Sequence, residues 1–234
     1  MRPFHPLYIL KVLPEIMRCF PVTVLMVVGT LFFGGVGGLI LAAAKLSRSR
    51  IARAIANVYT YVVRCVPSIV MLFIVYYGLP EFLLAFGIDI NSYSKGVFVI
   101  AALSIMYSAT ISEVFRSAYL SVDRGQKEAA LSSGLSEFQA FWRIVFPQCV
   151  VIALPNYTNA LINLMKEGAL AYTIGLIDIV GKGNQIIGRN QGAYTLETYL
   201  ALGLIYWTLT IIIQKGMGAL ERQLLKGRKA LIAN

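Results

Sequence analysis

Five stretches of this chain are almost free of charge, and each is about long enough to cross a lipid bilayer. Cys19 to Ala44, Gly96 to Ser112, Ile144 to Met165 and Thr198 to Gln214 carry no charged residue, and Ala54 to Pro80 carries only Arg64. A spanning helix needs roughly 20 apolar residues, with about 17 to 25 tolerated. The pattern therefore predicts an all-α integral membrane protein with five transmembrane helices. Composition agrees: 58% of residues are hydrophobic and 14% charged, where a soluble domain carries about 25% charged residues.

The first interval does not read as a cleaved leader. The apolar core of a leader runs for roughly 7 to 15 residues, and Cys19–Ala44 is longer and follows Pro14 and Glu15, with Pro21 near its start. The formal net charge of +10 does not point to nucleic acid, because the cations fall between the apolar runs and form no single face. Lys45, Arg48, Arg50 and Arg53 fill the first loop. Arg116, Arg124, Lys127 and Arg143 flank the segment after the third. Lys215, Arg222, Lys226, Arg228 and Lys229 fill the tail. With five spans these groups share one side, and an excess of Lys and Arg marks the cytoplasm. The expected topology has the N-terminus outside and the C-terminus in the cytoplasm. Residues 1–18 are expected as an outer or interfacial segment, 19–218 as the transmembrane domain and 219–234 as a basic cytoplasmic tail. Cys19, Cys65 and Cys149 are far apart and His5 is the sole histidine, so no metal cluster of His and Cys is expected.

The segment between the third and fourth runs, about 30 residues long, is built rather than merely connecting. Asp123 followed by Gln126, and Ser136 followed by Gln139, have the spacing of a helix N-cap answered from the third helical position. Gly134 lies between them. Beyond it Phe138, Phe141, Trp142 and Val145 recur at the period of one helix face. Two short helices meeting at a glycine bend are expected over residues 120–148, presented as a docking surface.

That segment reads Glu128-Ala129-Ala130, three residues, Gly134, nine residues, Ile144, one residue, Phe146-Pro147. It resembles the EAA motif of the permease subunits of ABC importers, with Phe146 in place of the usual leucine. Tyr107 through Glu113 to Arg116, then Gly125-Gln126, resembles the polar amino-acid branch of that family. So do Arg64-Cys65-Val66-Pro67, Tyr77-Gly78-Leu79-Pro80, Leu154-Pro155, Asn159 and Lys166-Glu167-Gly168-Ala169-Leu170. Two of the four residues from Arg64 to Pro67 differ from the branch's Arg-Gly-Thr-Pro, and Gly168-Ala169 replace its Thr-Ser. The resemblance covers most of residues 20–220.

It implies two coupling helices between spans three and four, in which Glu128, Ala129, Ala130, Gly134, Phe138 and Pro147 meet a cytoplasmic ATPase subunit. It also implies a second permease subunit, identical or homologous, two ATPase subunits that bind the ATP and magnesium, and an extracytoplasmic substrate-binding protein. No cofactor belongs to this chain itself, and it is expected to be a non-catalytic transport subunit. Gly175 and Gly181-Lys182 only loosely echo a phosphate loop, with wrong spacing and Gly183 where Ser or Thr is needed.

Ionisable groups inside spans usually face a cavity or a partner. Arg64, Pro67, Glu113 and Arg116 are assigned structural or gating roles, and Glu113 and Arg116 have the spacing of a local ion pair. Asn159, Asn163 and Glu167 recur every four residues along one helix face; with Met71 they form the candidate substrate path, against a simpler role in bonding between helices. Gly34-Gly35-Val36-Gly37-Gly38 reads as a close-packing patch. The resemblance implies a polar amino acid as cargo, neutral or sulfur-bearing such as cystine, and the lack of an extra acid at Ala160 and Gly168-Ala169 argues against a strongly cationic one. The alternatives are a permease for a sugar, peptide or metal complex, and an integral-membrane enzyme, for which converging catalytic groups are missing.

Overall fold

The computed structural model describes residues 4–232, with side chains described through Leu225. The expected tail cations Lys226, Arg228 and Lys229 lie outside the described side chains. The described residues are helical with no strand. In chain order the helices are α1 (Pro6–Met17), α2 (Phe20–Leu46), α3 (Arg50–Cys65), α4 (Ser68–Phe73), α5 (Leu79–Leu84), α6 (Lys95–Leu120), α7 (Arg124–Ser132), α8 (Glu137–Ala140), α9 (Phe146–Gly168), α10 (Ile179–Arg189) and α11 (Thr195–Ile232). Wider π turns join α4 to α5 and α8 to α9, and a tighter 3-10 turn follows α9.

The seam between α2 and α6 organises the bundle. One stripe of α2 is buried: Thr23, Met26, Thr30, Gly34, Gly38, Ala42 and Lys45. Small residues there let the α6 backbone come close, as helices packing in lipid require. A Cβ added to Gly34 would crowd Tyr107 and the Ser104 carbonyl, and one added to Gly38 would overlap Ile111. The glycine patch is thus a packing face, with Gly35 turned to open space. The opposite face of α2 carries Phe32, Phe33, Leu39 and Ile40, all mostly exposed, as suits contact with lipid.

Register along this seam fixes the number of crossings. Gly29 lies beside Ile100, Gly34 beside Ser104, Gly38 beside Ile111 and Lys45 beside Glu113. The two helices therefore run parallel, so the chain between them crosses once more. That crossing is not the single helix expected from Ala54 to Pro80. It is α3 followed by Ser68–Leu84, bent by 106° at a short break. Pro67 explains the break: it has no N–H to give, and it drives the preceding residue out of the helical region, with Val66 at φ −84°, ψ 128°. Counting the bent pair as one span, five helical segments are long and apolar enough to cross.

A second packed cluster, built on Val12, Ile16, Ile179, Ile186, Ala201 and Leu202, ties α1, α10 and the start of α11 together. Tyr8 stacks on Tyr194 at 3.8 Å between ring centres, and the His5 amide donates to Glu197 at 2.9 Å. These elements mark the end of the bundle where α2 begins. Lys45, α7–α8 and the far part of α11 lie at the other end, so the three basic groups share one side.

Candidate functional site

Three constellations carry the chemistry expected of this chain. The first is the elbow between α6 and α9. Helix α7 starts at Asp123, whose carboxylate accepts from the Gly125 amide at 2.6 Å. Gln126 does not answer this cap; its side chain lies 3.4 Å from the Gln148 amide instead. Helix α8 has the full reciprocal box, with Gln139 N–H donating to Ser136 Oγ at 3.2 Å and Ser136 N–H donating to Gln139 Oε1 at 3.0 Å. Between them Gly134 has φ +87°, a left-handed conformation open to glycine and costly for a residue with a Cβ. Lys127 bridges the bend to Glu137 at 2.6 Å, and this hydrogen-bonded pairing holds the Lys127 ammonium above its usual range.

The two helices expected here are present, but the second is short. Helix α8 has four residues and runs through the π turn Phe141–Val145 straight into α9, so it forms the end of the fourth span. On the elbow Glu128 and Ala129 are exposed while Ala130 is buried. Among the described residues Glu128 has no ion-pair partner. Phe138 is 72% exposed and Trp142 48%. Their rings lie 6.1 Å apart, and Trp142 reaches Phe146 at 4.8 Å. The expected apolar stripe is thus an aromatic row open to its surroundings, with only Val145 buried. Pro147 is exposed just past the π turn, where α9 begins.

The second constellation is a charge cluster at the same end of the α2–α6 seam. Glu113 accepts from Arg116 at 2.8 and 2.9 Å, the local pair that the spacing indicated. Its other partner, Lys45, comes from α2 rather than from a loop. The lysine side chain is 1% exposed, and its ammonium donates to Glu113 and Ser112, each at 2.7 Å. A signal was available, since Lys45 continues the stripe Gly34, Gly38, Ala42 at helical spacing.

The third is the polar face of α9. Asn159 and Asn163 are exposed on it, while Glu167 is partly covered and accepts from the Ser68 hydroxyl at 3.1 Å. Ser68 opens α4 just past the Pro67 break, so the break brings spans two and four together. Met71, expected beside these residues, is 8% exposed and packs into the central apolar cluster. Met71 therefore offers almost no open surface. At the opposite end Glu15 is held by Arg189 at 2.9 and 3.0 Å and by Lys182 at 3.2 Å. The hydrogen bonds from Arg189 lead the causes that keep the Glu15 carboxyl below its ordinary range. This cluster had no signal in the sequence, because its members are about 170 residues apart.

Residues 34–226 match the family described as the inner membrane component of binding-protein-dependent transport systems. The chain belongs to that family. Curated relatives extend the match across almost the whole permease. The probable amino-acid permease protein YxeN of Bacillus subtilis (strain 168) is 34% identical over 219 residues, covering 94% of this chain and 95% of that one. The L-cystine transport system permease protein TcyL of the same strain is 35% identical over 219 residues, covering 94% and 91%. A solved structure described as an amino acid ABC transporter with histidines superposes with a TM-score of 0.81 at 27% identity, covering 95% of this permease and 100% of that chain. The permease is therefore a multi-pass transport component of the inner membrane and not an enzyme. Its family works with an ATPase and a substrate-binding protein.

Proposed function

We propose that this permease forms the membrane pathway of an ATP-driven importer for polar, uncharged amino acids, cystine among them. The observation that carries the reading is the elbow: complete motif spacing, a left-handed Gly134 and an exposed, unpaired Glu128 at the basic end of the bundle. That end is the cytoplasmic one, with the N-terminus outside and the C-terminus inside. Residues 1–18 form the outer segment, 19–218 the transmembrane domain with coupling segment 120–148, and 219–234 the cytoplasmic tail. Two permease subunits, identical or homologous, enclose the path, since one bundle of five spans leaves the polar faces of α3 and α9 open. Two ATPase subunits bind ATP and magnesium and dock on the elbows, and a binding protein delivers cargo from outside. Nucleotide-driven closure moves the elbows and rocks the bundles between outward- and inward-open states around a site near the midplane.

Asn159, Asn163 and Glu167 line the cargo path. The absence of a further acid on this face supports a neutral cargo over a cationic one, and similarity to an L-cystine permease names cystine within that class. The complete transporter, reconstituted in vesicles, tests this with a radiolabelled panel of cystine, serine, glutamine and arginine. ATP-dependent uptake of cystine or another neutral member is expected, with Asn163→Leu or Glu167→Gln lowering or redirecting it while the ATPase stays bound. Uptake of sugars or peptides alone, or unchanged uptake in both variants, contradicts the assignment. For topology, cysteines introduced as Arg48→Cys and Lys226→Cys in a cysteine-free background label from the cytoplasm, and Ser92→Cys labels from outside.

A further inference from the structure

Among the described residues Arg64 has no carboxylate partner. It is exposed in the last turn of α3, within the bent crossing. It opens on a pocket of about 360 Å³ whose lining comprises Asn57, Thr60, Tyr61, Arg64, Cys65 and Glu113. A guanidinium at membrane depth is costly unless it faces water or an anion. The carbonyl end of α3 favours a cation there but supplies no full charge to match it.

The only acid in the pocket is already engaged. Glu113 accepts from Lys45 with one oxygen and from Arg116 with the other. Lys45 and Arg116 thus occupy both oxygens of Glu113 and leave none for Arg64, and the uncharged Asn57, Thr60 and Tyr61 supply no counter-charge. With Glu113 already neutralised from outside the lining, Arg64 is the unmatched charge of the pocket, and it has a planar fork of N–H donors matched to a carboxylate.

We infer that this pocket receives the α-carboxylate of the transported amino acid, with Arg64 as its receptor; the inference rests on the amino-acid reading above. A carboxylate is the one anionic group that every α-amino acid shares. Arg64 therefore selects the class of cargo, amino acid over amine or sugar, and leaves the side chain to other residues. Four residues on, at most about 14 Å along the chain, Ser68 holds Glu167, whose opposite charge suits the cargo's ammonium. The Pro67 break lies between the two and sets their separation.

Direct binding to the assembled permease–ATPase complex in nanodiscs, without binding protein, tests the assignment. The probes are radiolabelled cystine and cystamine, its doubly decarboxylated counterpart, with serine, glutamine and arginine alongside. Wild type is expected to prefer cystine to cystamine by roughly tenfold or more, the scale of a hydrogen bond to a charged group. Arg64→Gln should weaken cystine binding by about the same factor and abolish the preference, while Arg64→Lys retains part of both. Each variant should keep its bound ATPase and its partner permease.

Equal cystine binding by Arg64→Gln and wild type overturns the inference alone, leaving the amino-acid assignment standing. Separation of the permease pair in Arg64→Gln also overturns it, because Arg64 then serves an acid on the neighbouring subunit. Failure of wild type to bind any amino acid in the panel removes the amino-acid reading and this inference with it.

Discussion

The α2–α6 seam and the elbow between α6 and α9 are made by opposite means. The seam is held by burial: glycines let two backbones touch, and a buried lysine ties the ends together through Ser112 and Glu113. The elbow is held by short-range bonds, with two N-caps, one left-handed glycine and one surface ion pair, and most of its side chains are exposed. A part fixed by burial serves as frame. A part that keeps its shape from local bonds can dock on a partner and be displaced without unmaking the core. Substitutions in the seam should therefore reduce stability, and substitutions in the elbow should reduce coupling.

The largest loss of stability is expected for Gly38→Val, since even a Cβ there overlaps Ile111. Overpacking costs about 1–3 kcal/mol, and this site lies at the upper end. The melting temperature of the detergent-solubilised permease should fall sharply, while Gly35→Ala, facing open space, leaves it unchanged. Equal melting of both variants would break the claim that close burial against α6 holds the frame. Lys45→Met comes next, at about 2 kcal/mol, below the roughly 3–5 kcal/mol for breaking a buried pair because Glu113 retains Arg116. Denaturant midpoints measure it, and a second change, Glu113→Gln, should recover part of the loss.

Gly134→Val is expected to cost about 1–2 kcal/mol of local strain at a positive φ and to leave the bundle's melting temperature near wild type. Substrate-stimulated ATP hydrolysis should nevertheless disappear. A large drop in melting with normal hydrolysis would reverse the roles of the two regions. The smallest effect belongs to Glu15→Gln at the opposite end. Because the folded Glu15 titrates below its ordinary range, its contribution is present above the unfolded carboxylate value and vanishes as pH falls through the lowered folded one. The melting difference between wild type and variant should be visible at neutral pH and absent in acid.

The same contrast explains what could be read from the sequence. Signals confined to a few neighbouring residues came through: the uncharged intervals, the Ser136–Gln139 cap, the Glu113–Arg116 spacing and the Gly134 bend. Signals needing distant partners did not. Lys45 reads as a loop cation until α6 supplies Glu113, although its place on the glycine stripe was legible. Glu15, Lys182 and Arg189 meet only when α1 folds against α10. The bend at Pro67 was foreshadowed by the proline itself, yet continuous hydropathy across Ala54–Pro80 concealed it, because apolar content records depth in lipid and not the direction of the axis. Met71 shows the complementary limit: its neighbours in sequence do not reveal that it packs into the central apolar cluster.

The central claim is that the elbow couples this permease to its ATPase, and Glu128→Lys tests it most directly. The substitution changes an exposed residue outside every span, so insertion and melting should match wild type. Placing a cation where an anion meets the partner introduces a like-charge contact that costs several kcal/mol at an interface. The measurement is ATPase copurification together with substrate-stimulated ATP hydrolysis in the reconstituted transporter. Loss of copurification, or retained binding with no stimulation, is the result expected. Wild-type copurification, hydrolysis and uptake in Glu128→Lys would contradict the claim and leave the elbow an ordinary connection between two spans.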